Sequence, residues 1–126
     1  MNQLHQIYQC SVCNNLVEIL KPGKELQEVC HKPTLVLEKT SDVGQEKHLP
    51  VVTRTTQGIH VAIGSIPHPM EEAHFIEWIE LIAGKKTFRV NLSPGEKPEA
   101  DFPFIEGPVT VREFCNVHGL WKIDVA

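Results

Sequence analysis

Five residues with metal-ligating side chains lie far apart along this chain, each in a turn-like context: His48, His68, His74, Cys115 and His118. If they share one ion, the fold must bring separate segments to a single point. Pro67-His68-Pro69-Met70-Glu71-Glu72-Ala73-His74 places two imidazoles six positions apart, beside two prolines. Cys115-Asn116-Val117-His118 sets a thiol and an imidazole three apart, a spacing that reaches one ion from a tight turn. Glu46-Lys47-His48-Leu49-Pro50 adds a fourth imidazole. Imidazole suits iron, copper, zinc and nickel, and a thiolate biases the set towards a soft or redox metal. The pattern by itself also fits zinc. A single His beside Pro is usually a solvated loop residue, so the weight rests on the set and not on any one member.

Composition narrows the class. A chain of 126 residues, 41% hydrophobic and 22% charged, reads as soluble and globular, with room for a small domain joined to a modest one. A net charge of −4 lacks the basic footprint of a nucleic-acid binder. No apolar run approaches a membrane span, and Met1–Gln6 lacks the start of a secretory leader, so the expected compartment is the cytoplasm. There, four cysteines are more often metal ligands or redox groups than disulfides.

Residues 1–37 read as a separate unit. Cys10-Ser11-Val12-Cys13 is the knuckle used by zinc ribbons and rubredoxin-like iron sites. Val29-Cys30-His31-Lys32 brings a third thiol and an imidazole. A unit this short buries little core, so a metal staple is expected. A thioredoxin-like redox pair would need a βαβ context that is lacking here. His5 falls in what reads as a loose terminus.

Residues 38–126 form the second unit, with Lys39–Gln45 as a polar linker into it. Short alternating stretches come next, separated by turn signals: Val51–Thr55, Ile59–Gly64, Lys86–Leu92, Val109–Phe114 and Leu120–Val125. Together they suggest a β-sandwich. Ile59, Val61 and Ile63 share one face, which puts His60 on the surface. Phe75–Ile82 fits an amphipathic helix on periodicity. Trp78 and Trp121 read as core.

Three long stretches carry a resemblance: Glu46–Val51, Pro67–Leu81 and Glu113–Lys122. They resemble the superoxide reductases, and the whole chain looks like the two-domain form, desulfoferrodoxin. The resemblance implies a mainly β protein: a small desulforedoxin-like domain, then an immunoglobulin-like seven-stranded sandwich in which Phe75–Ile82 is a strand. It implies a mononuclear non-haem iron, with His48, His68, His74 and His118 in a plane and Cys115 axial. That site would reduce superoxide to hydrogen peroxide, as a defence against oxidative stress, and be re-reduced by an external donor such as rubredoxin. Lys47 would attract the anion, and Glu46 would close the sixth iron position. A homodimer is the family's usual state.

The sequence departs from the family in one place. Desulfoferrodoxins carry two adjacent cysteines where this chain has Cys30-His31. The centre of Cys10, Cys13, Cys30 and His31 therefore stays open between iron, zinc and no metal. Two other classes compete for the protein as a whole, an electron carrier and a zinc-stapled interaction module. A carrier needs no Lys over an open face, and blue-copper sites use two His, not four.

Overall fold

The computed structural model describes residues 1–26 and 33–126. It divides into two compact units, Met1–Leu37 and Glu38–Ala126. Among the described residues no helix is long and apolar enough to cross a membrane.

The first unit is a three-stranded sheet. Strand β1 (Ile7–Cys10) lies between β2 (Leu16–Glu18) and β3 (Pro33–Leu35), antiparallel to both. Its small core is Ile7, Cys10 and Ile19. The N-terminus is held, contrary to the sequence expectation. The buried Asn2 side chain accepts from the Gly23 N–H at 2.7 Å and donates to the Lys24 carbonyl at 3.0 Å. The His5 N–H donates to the Ile19 carbonyl at 2.9 Å.

The second unit is the expected sandwich. It begins with β4 (Glu38–Lys39) and one helical turn, α1 (Gln45–His48). The next strands are β5 (Pro50–Arg54), β6 (Ile59–Ile63), β7 (Ile76–Ala83) and β8 (Lys86–Asn91), then β9 (Glu99–Phe102), β10 (Val109–Cys115) and β11 (Gly119–Val125). One sheet has the order β4-β11-β10-β7-β8 and the other β5-β6-β9. Without the two-residue edge strand β4 there are seven strands, in the immunoglobulin-like manner. The core lies between the sheets, with Ile59, Val61 and Ile63 from one side meeting Ile79, Leu81 and Val111 from the other. The polar segment expected to be a linker is partly built into the fold, because β4 pairs parallel to β11 at Leu120 and Trp121.

Strand β7 is the stretch with helix-like periodicity. Ile76, Ile79 and Leu81 belong to the core, while Trp78 and Glu80, on the opposite face, are buried as well. A strand covered on both faces loses the alternation that marks a half-buried one. Its pairing with β10 shifts between Phe114 and Cys115, so Glu77 is an extra residue on the β7 side. Such a bulge bends the strand and re-aims the neighbouring side chains. Here it lies where β10 ends in Cys115.

A ladder of charges crosses the large sheet. Glu80 is fully buried and sits opposite Arg112 on β10 and Arg89 on β8. Arg112 Nε donates to Glu80 Oε1 at 2.8 Å, and Arg112 Nη2 and Arg89 Nη2 add further bonds to the same carboxylate. Arg112 Nη1 reaches Glu38 at 3.3 Å. On the small sheet His60 pairs with Asp101 at 2.7 Å and Glu99 at 3.0 Å, a surface position as expected.

Removing one member of a buried ion pair strands the other. Glu80→Ala is therefore expected to lower unfolding stability by about 3–5 kcal/mol. The double change Glu80→Met with Arg112→Leu should recover most of the loss. Urea denaturation of the single and double variants measures both effects.

Candidate metal centre

Four of the five imidazoles of the second unit meet at one end of the sandwich; His60 is the one that stays apart, on the small sheet. His48 comes from the end of α1, His68 and His74 from the β6–β7 connection, and His118 from the β10–β11 turn. Neighbouring ring centroids lie 4.7 Å apart for His48–His68 and for His68–His74. The circuit closes through His74–His118 at 5.0 Å and His118–His48 at 4.8 Å. The His48–His74 diagonal is longer, at 6.5 Å. Four rings with nearly equal sides and a longer diagonal form a four-cornered circuit. The ligand atoms of His48, His68, His74 and Cys115 all lie within 4.8 Å of one another. His118 Nδ1 is 3.8 Å from Cys115 Sγ. The turn context expected for Cys115 is only half right, because it is the last residue of β10.

Backbone carbonyls set the tautomers. His48 Nδ1–H donates to the Gly44 carbonyl at 2.8 Å, and His68 Nδ1–H donates to the Pro69 carbonyl at 2.6 Å. Each bond leaves Nε2 with its lone pair. Those two Nε2 atoms face each other at 3.2 Å. Two lone pairs at that distance repel unless a proton or a cation lies between them. A proton is disfavoured: burial, chiefly, lowers the pKa of His48 and His74 and brings His68 down to about 4. Imidazole nitrogens on one ion at about 2.0–2.1 Å and right angles would be about 3 Å apart. His74 Nε2 is buried and has no hydrogen-bond partner among the described residues, a cost that a bound cation would remove. The residues therefore fit a metal ion.

The thiol is poised differently. Burial is the main cause raising the Cys115 pKa, and the negative charge of Glu77 adds to it. Backbone N–H groups of His118 and Val117 pull the other way, the His118 N–H lying 3.4 Å from Sγ. Glu113 is fully buried, neither of its oxygens has a partner among the described residues, and burial raises its pKa well above the usual range. A carboxyl so placed is held neutral.

Lys47 and Glu46 are exposed beside the ligands. The positive charge of Lys47 helps to depress the His74 pKa, so its ammonium acts on the ligand circuit. The β6–β7 turn holds this segment. The Ile66 N–H donates to the Glu46 carbonyl at 3.0 Å and the Ser65 hydroxyl to the same oxygen at 3.2 Å. Gly64, with φ +88°, lies so close that a Cβ would come within 2.8 Å of the Lys47 carbonyl oxygen. His48 and His68 are buried, His74 is half-buried and His118 is exposed, so the circuit opens on one flank.

A comparison with known families places the chain. The family model described as Desulfoferrodoxin matches residues 40–124. The chain belongs to the desulfoferrodoxin family. It is 55% identical over 120 residues to a desulfoferrodoxin of Syntrophotalea carbinolica, covering 94% of this chain and 95% of that one. It is 33% identical to a protein named superoxide reductase in Thermococcus kodakarensis, covering 69% of this chain and 92% of the relative. The superoxide reductase structure from Treponema pallidum has the same fold, with a TM-score of 0.76 at 24% identity and 94% and 95% coverage.

The first unit presents a second ligand pair. Cys10 ends β1 and is buried, while Cys13 is exposed. Cys10 Sγ accepts the N–H groups of Val12 and Cys13, both at 3.4 Å. Such N–H···S bonds favour a thiolate. Cys30 and His31, the other two residues assigned to this centre from sequence, lie outside the described residues.

The depressed imidazole pKa values predict how the metal-free chain responds to acid. The unfolded rings take up protons below about 6.5, whereas folded His68 resists until about 4. The unfolded state therefore binds more protons in that window, and the apo protein loses stability as pH falls through it. His68→Asn should reduce the slope of melting temperature against pH between these limits. An unchanged slope in calorimetry of the apo proteins would contradict the assignment.

Proposed function

We propose that this protein is a superoxide reductase with a mononuclear iron held by His48, His68, His74, His118 and Cys115. The observation that carries the reading is the four-cornered circuit of imidazoles joined by a buried thiol and open on one flank. The relatives and structures named superoxide reductase support it. When bound, ferrous iron supplies the one electron that, with two protons from water, converts superoxide to hydrogen peroxide and leaves ferric iron.

The chain's own residues do the rest. Neutral imidazoles keep the positive charge of a ferrous ion uncancelled, so an anion can approach. Cys115 would give up its proton to the bound metal and contribute a soft anionic ligand beside the four His. The exposed Lys47 ammonium attracts superoxide and balances charge as the product forms. Glu46, next to it, supplies the carboxylate that closes the site after turnover. A small one-electron carrier of the rubredoxin kind would supply the electron that readies the site for another turnover.

The test is the reaction with superoxide, followed after a fast radiolytic or photochemical pulse. Cys115→Ser is expected to abolish the reaction and the visible charge-transfer band of the oxidised protein. Lys47→Ala should keep its iron but react about tenfold or more slowly, and with a weaker dependence on ionic strength. A Cys115→Ser protein that keeps both activity and band would overturn the reading.

For the first unit we propose a second metal held by Cys10, Cys13, Cys30 and His31. Elemental analysis should then find two metal ions per chain in the parent and about one in His31→Ala. One ion per chain in the parent would show that this knuckle is vestigial.

A further inference from the structure

The β10–β11 hairpin does more than carry two ligands. Asn116 lies between Cys115 and His118, and its side chain grips the backbone on both sides of His74. Its Oδ1 accepts the Phe75 N–H at 2.9 Å, and its Nδ2 donates to the Ala73 carbonyl at 3.1 Å. The Asn116 N–H adds a third bond, to the Phe75 carbonyl at 3.3 Å. The side chain is exposed, so core packing does not account for this arrangement.

Trp121 makes a matching link to His48. Its ring stacks on the His48 imidazole at 4.7 Å between centroids and 13° between planes. Its Nε1–H donates to the His118 carbonyl at 3.2 Å. The Lys39 ammonium lies 5.3 Å from the centroid of the Trp121 ring, in the register where β4 meets β11. One indole thus touches the ring of one ligand and the backbone of another.

We propose that Asn116 and Trp121 are positioning residues that tie the His74 and His48 segments to the Cys115–His118 hairpin, so that the ligand circuit is assembled before metal arrives. The physical argument is preorganisation. A ligand loop held in place loses less conformational freedom when the ion binds. Groups that orient metal ligands typically account for about 10–100-fold in affinity. The inference rests on the metal-site reading above, though not on the identity of the reaction.

The test uses Co²⁺ as a coloured probe on the full-length chain carrying Cys10→Ser and Cys13→Ser, which leaves the second unit as the site under study. Asn116→Ala is expected to weaken Co²⁺ binding about tenfold, with little change in the melting temperature of the metal-free protein. Trp121→Leu should weaken it by about 10–100-fold. Trp121→Phe, which keeps a ring against His48 but loses the N–H, should recover most of that affinity, falling about fivefold short for one hydrogen bond. The Co²⁺ d–d spectrum should change in Asn116→Ala as His74 loosens. Should Trp121→Leu fail to fold, Asn116→Ala and Trp121→Phe still decide. Affinities within twofold of the parent in both overturn the proposal, as does a loss of apo stability without a loss of affinity. A parent that takes up no Co²⁺ overturns the metal site and the proposal together. A parent that binds Co²⁺ here, but whose iron-loaded form leaves superoxide untouched, would overturn the function alone.

Discussion

The ladder between β7 and β10 is the constraint on which the rest of this structure depends. Strand β10 is central in the large sheet, paired on one side with β7 and on the other with β11. It ends in Cys115, and β11 begins at Gly119, immediately after His118. Where the β7–β10 register slips, the chain leads into Phe75 and His74. Sheet hydrogen bonding thus delivers the thiol and two of the imidazoles to one place. The remaining two arrive from the other side of the sandwich. β5 leads back from Pro50 to α1 and His48, and β6 leads on to His68. The rigid part of the molecule is the pair of sheets, and the ligands are set at their ends, where backbone direction is determined even though the segments are loops.

Burial plays two opposed parts here. It keeps the His48, His68 and His74 imidazoles neutral and so available as ligands, and it keeps the Cys115 thiol protonated until a metal competes for it. It also isolates the Glu80 carboxylate, which the neighbouring Arg112 and Arg89 guanidinium groups compensate. Glu113 lies two residues from the thiol with no such compensation among the described residues, and its carboxyl answers by staying protonated. Of two buried glutamates on adjacent strands, one is kept as a charge and the other as an acid. Only the presence of an arginine opposite separates them.

Much of the site was legible in the sequence because its residues are rare and their neighbours are distinctive. Imidazoles beside prolines, and a Cys-x-x-His next to a glycine, leave marks that do not depend on the fold. The alternation of Ile59, Val61 and Ile63 was equally plain, since β6 has one face in the core and His60 on the other. The rest was hidden for physical reasons. β7 is covered on both faces, which erased its period. β4 is two residues long and exists only because β11 is there to pair with it. α1 is a single turn with no side-chain cap. The short β9 had no signal distinguishing it from the loop before it. The links made by Asn116 and Trp121 are tertiary contacts of common residue types, and Trp121 read as ordinary core. Its one per cent exposure agrees with that reading, while its stacking on His48 goes beyond it.

Gly64 has a consequence for how charge at this opening could drift over generations. The ammonium of Lys47 is borne on a backbone whose carbonyl lies against a position with no side chain at all. Replacing the lysine would alter the charge and leave the scaffold in place. Replacing the glycine would leave the charge and move its origin, because the nearest atoms are backbone and cannot swing aside. The electrostatics of the opening therefore have a silent determinant. A lineage could keep every charged residue around the site and still lose its field there through the arrival of one methyl group.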